Sequence, residues 1–139
     1  MKGFLALAAV VLTGGFAAPA AADELIGFQS PSGNIHCLLY SDAGGATARC
    51  DLRQLKKSYT KRPSGCDQDW GSAFAVDRKG KGYLACVGDT VVDRSNPVLR
   101  YGKAMSLGNI SCVSAKTGIT CTNADGHGFS VAKAGQKLF

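Results

Sequence analysis

The chain has 139 residues, with 16 Lys and Arg against 10 Asp and Glu, a formal net charge of +6 and six cysteines. That length suits one domain and is short for two, and the positive balance favours anionic partners such as phospholipid headgroups, lipopolysaccharide or acidic polymers. An even cysteine count argues for disulfides, and the lack of any close CxxC-type pair in the sequence argues against a zinc site.

The chain opens with Lys2, an apolar stretch from Phe4 to Leu12, the helix breakers Gly14 and Gly15, and the small-residue string Ala17-Ala18-Pro19-Ala20-Ala21-Ala22. This is the three-part pattern of a secretory signal peptide, too short in its apolar part to span a bilayer. Ala20-x-Ala22 places cleavage after Ala22, leaving residues 23–139 as a single soluble, periplasmic or secreted domain.

A strand is expected over Leu25 to Phe28. Ile35-His36-Cys37-Leu38-Leu39-Tyr40 then leads through Gly44-Gly45 to Thr47-Ala48-Arg49-Cys50, which reads as a hairpin with a glycine turn. Leu52, Leu55 and Tyr59 show helical spacing, but Lys61-Arg62-Pro63 limits any helix there to two turns. Arg53, Lys56, Lys57, Lys61 and Arg62 interleave with Tyr59, so this segment is either a solvated loop or a grip for phosphates and anionic headgroups.

A second hairpin is expected from Ala73-Phe74-Ala75-Val76 through Gly80 and Gly82 to Tyr83-Leu84-Ala85-Cys86, with Cys66 and Trp70 ahead of it. Short strands are expected at Thr90 to Val92 and Val98 to Tyr101. The third hairpin joins Cys112-Val113-Ser114 to Ile119-Thr120-Cys121 through Ala115-Lys116-Thr117-Gly118, whose last glycine can adopt the left-handed conformation. A last strand is expected over Gly128 to Val131.

Six cysteines allow 15 pairings. The hairpins select Cys37–Cys50, Cys66–Cys86 and Cys112–Cys121. Gly33-Asn34-Ile35-His36-Cys37 recurs as Gly108-Asn109-Ile110-Ser111-Cys112, each copy opening the first strand of a cysteine hairpin. Two copies are too few for a solenoid and read as a repeated hairpin within one sheet system. The fold class is mainly β: a small disulfide-stapled barrel or sandwich built from antiparallel hairpins.

Catalytic signals are weak. His36, beside Cys37 in a strand, reads as a surface or packed histidine. His127 sits between Gly126 and Gly128 with Asp125 near it in sequence, an arrangement that suits a general base, a metal ligand, or a structural turn whose ring caps backbone carbonyls. The structural reading is favoured, and no catalytic residue, metal or cofactor is assigned. Asp67 and Asp69 beside Trp70 read as solvated turn acids, and Asn123 with Asp125 lacks the remainder of a calcium loop.

Phe28-Gln29-Ser30-Pro31-Ser32-Gly33-Asn34-Ile35-x-Cys37, Arg49-Cys50-Asp51, Trp70-Gly71, Cys86-x-Gly88-Asp89-Thr90, Leu99-x-Tyr101-Gly102, Gly118-Ile119-Thr120-Cys121-Thr122-Asn123 and Gly126-His127-Gly128-Phe129 follow in order along the chain. This succession resembles a family of exported bacterial proteins, domain of unknown function 6636. The resemblance implies export and the disulfide pattern, and brings no activity. Ser130-Val131-Ala132-Lys133 departs from it, standing where a leucine-serine-arginine run is expected.

The expected function is therefore a non-enzymatic envelope or secreted binding module, monomeric, with an anionic envelope component or a protein as partner and no nucleic acid. Its candidate binding residues are Arg53, Lys56, Lys57, Tyr59, Lys61, Arg62, Asp125 and His127. The alternatives are a periplasmic inhibitor of a hydrolase and, behind it, a small hydrolase using His127.

Overall fold

The computed structural model describes Gly3, residues 9–17 and residues 23–139. The expected cleavage site at Ala20-x-Ala22 and much of the expected leader lie outside the described residues. Among the described residues there is no helix.

Among the described residues ten strands form two antiparallel sheets, and within each sheet every strand pairs with its neighbour in sequence. The first sheet runs β1 (Glu24–Gln29), β2 (Ile35–Asp42), β3 (Gly45–Leu52), β4 (Ala73–Asp77) and β5 (Tyr83–Leu84). The second runs β6 (Ala104–Leu107), β7 (Ile110–Ala115), β8 (Gly118–Thr122), β9 (Gly128–Ala132) and β10 (Gly135–Leu138). The sheets face each other, β2 over β6, β3 over β7 and β4 over β9, without closing into a barrel. The fold is a sandwich.

Alternation along each strand supplies the core. Cys37 and Leu39 on β2, Ala48 and Cys50 on β3, Phe74 and Val76 on β4 point inward to meet Ile110, Cys112, Ile119, Cys121, Phe129 and Val131 of the second sheet. The disulfides are Cys37–Cys50, Cys66–Cys86 and Cys112–Cys121, as the hairpins predict. Cys37 and Cys50 are register partners with Cα atoms 4.1 Å apart, and Cys112 and Cys121 are partners at 4.0 Å. Both are the close, non-hydrogen-bonded kind of antiparallel pair, whose side chains lie side by side.

Several expectations need correction. The third hairpin turns on two residues, Lys116 and Thr117, because Ala115 and Gly118 still pair across it. Gly118 has φ +124°, and a Cβ there would run into the Val131 carbonyl, so only glycine fits. The two Gly-Asn-Ile copies lie in different sheets, and they start from opposite ends of the sandwich. No helix forms at Leu52, Leu55 and Tyr59: Leu52 ends β3, while Leu55 and Tyr59 pack from a non-helical segment onto the core. β6 and β10, with weak strand propensity, were not anticipated and exist as partners of β7 and β9.

Thr90 to Val92 and Val98 to Tyr101 are not strands. They belong to a strap, residues 85–101, that crosses the outer face of the first sheet from the β4 side to β1. Its bonds go mainly to side chains: Thr90 Oγ1 and Val91 N donate to Asp51 Oδ2 at 3.2 and 3.1 Å, and Asp93 N donates to His36 Nδ1 at 3.3 Å. Its strand-like ties are two isolated bridges, Val87 antiparallel to Asp69 and Val98 parallel to Gln29 of β1. The strap explains why His36, Arg49 and Asp51, facing away from the core, are nevertheless buried.

Candidate functional site

One end of the sandwich carries a groove of about 390 Å³, within the range of small-ligand pockets. Four turn regions build it: Ser30 to Ile35 between β1 and β2, Arg53 and Gln54 after β3, Lys116 at the tip of the β7–β8 turn, and Ala132 and Lys133 after β9. Tyr101 closes one side. Arg53, Lys116 and Lys133 are exposed cations, and no lining residue is acidic. Among the described residues the salt bridges are those of Arg49, so none of the three groove cations is neutralised by a carboxylate.

The groove walls are fixed by short hydrogen bonds. Asn34 holds the backbone that carries Arg53: its carbonyl accepts from Arg53 N, its Nδ2 donates to Gln54 O, and its Oδ1 accepts from Gln54 N, all at 2.9 Å. Gly33, at φ +70°, makes the turn that presents Asn34. Ser30 Oγ accepts from Ile35 N at 3.1 Å and lies 3.0 Å from Ser32 Oγ. Lys133 is tied to the opposite wall through Lys56 N, which donates to its carbonyl at 2.8 Å. The cations thus project from an ordered frame, which lowers the entropic cost of gathering them around an anion.

From Arg53 the basic segment leaves the groove and follows the outer edge of β10. Ser58 N donates to Gln136 Oε1 and Gln136 N to Ser58 Oγ, each at 2.9 Å, and Leu138 N donates to the Tyr59 hydroxyl at 2.7 Å. Edge amides of β10 are covered this way, a protection against strand pairing with another chain. Tyr59 is half-buried with its ring edge on Phe74, 6.3 Å between centroids, so its work is structural. Lys56 and Lys61 are exposed. Lys57 and Arg62 lie over the Trp70 ring, 5.3 and 6.0 Å from its centroid, and Arg62 also donates to Cys66 O at 3.0 Å.

Asp125 and His127 are elsewhere. β8 begins at the groove with Gly118 and ends at Thr122 beside their loop, roughly 13 Å away at about 3.3 Å per residue. That loop is organised by buried Asn123, not by the histidine. Asn123 Oδ1 accepts from Asp125 N and His127 N at 3.1 Å each, and its Nδ2 donates to Asp77 O and Gly80 O at 3.0 and 2.9 Å. No hydrogen bond joins the Asp125 carboxylate to the His127 ring, and the ring caps no carbonyl. His36 is fully buried, with Nδ1 accepting from Asp93 N and Nε2 donating to Gly33 O at 3.0 Å.

A second charged cluster lies under the strap. Arg49 Nε and Nη2 donate to the two Asp51 oxygens at 2.8 and 2.9 Å, and Nη1 donates to Asp89 Oδ1 at 2.8 Å. Burial by itself would lower the Arg49 pKa, but the hydrogen bonds to Asp51 and Asp89 outweigh it and the net shift is upward. The Arg49 hydrogen bond, followed by its charge, holds the exposed Asp89 carboxyl below its ordinary value. Arg49 and Asp51 are two apart on one strand and so share a face, a signal visible in the sequence; their partner Asp89, 40 residues on, was not.

The sequence profile of a family of unknown function, DUF6636, matches residues 6–139. The chain belongs to this family. Neither a curated protein nor a solved structure matches the chain. The segments that carry the resemblance to DUF6636 gather in two places: Ser30, Ser32, Asn34, Ile35, Tyr101 and Gly118 line the groove, while Arg49, Asp51, Asp89 and Thr90 meet under the strap. The three disulfides of this DUF6636 chain are consistent with an extracellular or periplasmic location.

Proposed function

We propose that the protein is an exported, non-enzymatic binding module that takes an anionic group into the groove at the Arg53 end of the sandwich. One observation carries this reading: Arg53, Lys116 and Lys133 converge on a walled concavity that contains no acid. Their charges are uncompensated by protein carboxylates, so an incoming anion gains attraction without breaking an existing ion pair. Ile35, Ala115 and Ala132 add apolar surface, and the exposed Tyr101 ring offers a face for a ligand's carbon skeleton.

The test is a titration of residues 23–139 with inorganic phosphate and tripolyphosphate at low ionic strength, followed by amide chemical shifts. Saturable shifts confined to Asn34, Arg53, Tyr101, Lys116 and Lys133 are expected, weakening as salt is raised. The double variant Lys116→Ala/Lys133→Ala should lose most of the affinity. If the shifts instead cluster at His127, or the double variant binds like the parent, the reading is wrong.

A further inference from the structure

We infer that the ligand is a linear polyanion without nucleobases, a chain of phosphate or carboxylate units, of which one end sits in the groove while the following units lie along residues 53–62. This rests on the groove being an anion site.

The basic segment is no free loop. It leaves the groove at Arg53 and is fastened beside β10: Lys56 meets Lys133 in the turn before the strand, Ser58 meets Gln136, and the Tyr59 hydroxyl meets Leu138. Lys133 lies in the turn before β10, and β10 itself, Gly135–Leu138, is roughly 10 Å of extended chain at about 3.3 Å per residue. Its anchoring uses backbone groups, Ser58 and Tyr59, which leaves the ammonium groups of Lys56 and Lys61 turned to solvent. No acidic side chain occurs between Asp51 and Asp67 or within β10, so neither the segment nor the strand beside it supplies a side-chain counter-charge. At its far end Lys57 and Arg62 lie against Trp70. Cations carried on a backbone that is fastened beside β10, in a segment that begins at the groove, match a chain of anions.

A single small anion would occupy part of the groove and leave this line unused. A membrane surface is a poorer match, because interfacial binding draws on projecting apolar side chains, and here Leu55 and Tyr59 are turned toward the core. Single-stranded nucleic acid is bound through successive bases stacked on exposed aromatics, and the ridge offers none: Tyr59, the one aromatic between Arg53 and Arg62, is packed on Phe74, which leaves Tyr101 as a lone exposed ring in the groove.

The experiment compares inorganic phosphate, tripolyphosphate, medium-chain polyphosphate and oligogalacturonate on residues 23–139 by calorimetry, with affinities expressed per anionic unit. Affinity should climb with chain length until the chain covers both groove and ridge. The variant Lys56→Ala/Lys61→Ala should lower polyphosphate affinity about tenfold, reduce its salt dependence by one to two released counterions, and leave tripolyphosphate unchanged. Lys116→Ala/Lys133→Ala should weaken both. The two synthetic chains separate the sources: preference for one identifies phosphate or carboxylate units, and equal binding assigns the site to charge spacing. The inference is overturned if per-unit affinity is flat with length, if the Lys56/Lys61 variant binds polyphosphate normally, or if oligothymidylate binds more tightly than polyphosphate of equal charge. In those cases tripolyphosphate binding that still depends on Lys116 and Lys133 keeps the groove reading, and loss of that dependence removes it.

Discussion

Cys50 Sγ on β3 lies 3.9 Å from Cys121 Sγ on β8, so a disulfide of one sheet rests directly on a disulfide of the other. Around this contact the halves repeat. Cys50 pairs in register with Phe74 and Cys121 with Phe129, and the two rings meet across the sandwich at 6.5 Å. Each sheet has an outer strand, a Gly-Asn-Ile-x-Cys strand, a second cysteine strand, a phenylalanine strand and a short closing strand. The copies start from opposite ends, the arrangement produced by a two-fold axis that lies between the sheets and across the strands. One five-strand meander, used twice and stacked through its cystines, accounts for the core.

The disulfides should therefore differ in how they respond to reductant. Cys37, Cys50, Cys112 and Cys121 are fully buried, whereas Cys86 is exposed. Mild reduction of the native protein, followed by alkylation and mass spectrometry, should label Cys66 and Cys86 first. The other four should label only when the protein unfolds globally. Cys66→Ala/Cys86→Ala should keep its sheet spectrum while losing about 3 kcal/mol of stability, the chain-entropy value for a loop of this length. Labelling of Cys112 as fast as Cys86 would contradict the stacked core.

Arg49 and Asp51 should be costly to separate. Both are under a tenth exposed, and Asp51 also accepts from Thr90 and Val91 of the strap. Asp51→Ala leaves a buried guanidinium with only Asp89 and frees the strap, so a loss of about 3–5 kcal/mol in urea unfolding is expected. Asp89→Ala, which removes an exposed carboxylate, should have a clearly smaller effect. The Asp89 pKa is lowered in the folded state, so its contribution is present above the ordinary carboxylate range and disappears as pH falls through the lowered value. A carboxyl NMR titration should place its midpoint below that of an unpaired aspartate.

What could be read from sequence was local. A glycine turn with a cysteine at matched distance on each side specifies its own hairpin, as for Cys37–Cys50 and Cys112–Cys121, whereas Cys66 and Cys86 flank the β4–β5 hairpin with Cys66 outside its strands. β6 and β10 could not be read that way, since Ala104–Leu107 and Gly135–Leu138 become strands only because β7 and β9 offer them free edges. Thr90-Val91-Val92 reads as a strand because its residues are strand-like, yet Thr90 and Val91 donate to Asp51, Val92 N donates to Thr90 Oγ1, and no neighbouring strand among the described residues pairs with them. The groove was the least visible: of its three cations only Arg53 lay in a charge run, while Lys116 and Lys133 are single lysines in separate turns brought together by the sandwich. His127 stood out in sequence for its glycines, yet Asn123 holds that loop.

The two Gly-Asn-Ile copies permit a matched comparison. Asn34 fastens the backbone of Arg53 and Gln54 at the groove, and Asn109 donates to Arg78 O at 2.8 Å at the other end. Asn34→Ala should reduce tripolyphosphate affinity several-fold by loosening Arg53, with a stability loss of about 1–2 kcal/mol for the lost hydrogen bonds. Asn109→Ala should lose stability alone and bind normally. Equal binding by both variants would mean that Asn34 does not position Arg53.

Tyr83 gives the alkaline limit. Its hydroxyl donates to Asp77 Oδ1 at 3.0 Å, and the same oxygen accepts from Thr47 Oγ1 at 3.1 Å. Burial first, then the hydrogen bond and charge of Asp77, raise the phenol above its ordinary value. A pKa raised in the folded state gives stability that is fully present below the ordinary tyrosine value and lost as pH rises through the raised one. The ring is 41% exposed, so solvent screening keeps that contribution small. Phenolate absorbance should show a late component among the four tyrosines. Tyr83→Phe should abolish that component, and Asp77→Asn should move it toward the ordinary range by removing the charge while leaving an amide oxygen to accept the hydrogen bond. A late component that survives Tyr83→Phe would place the Tyr83–Asp77 contact outside the cause of the shift.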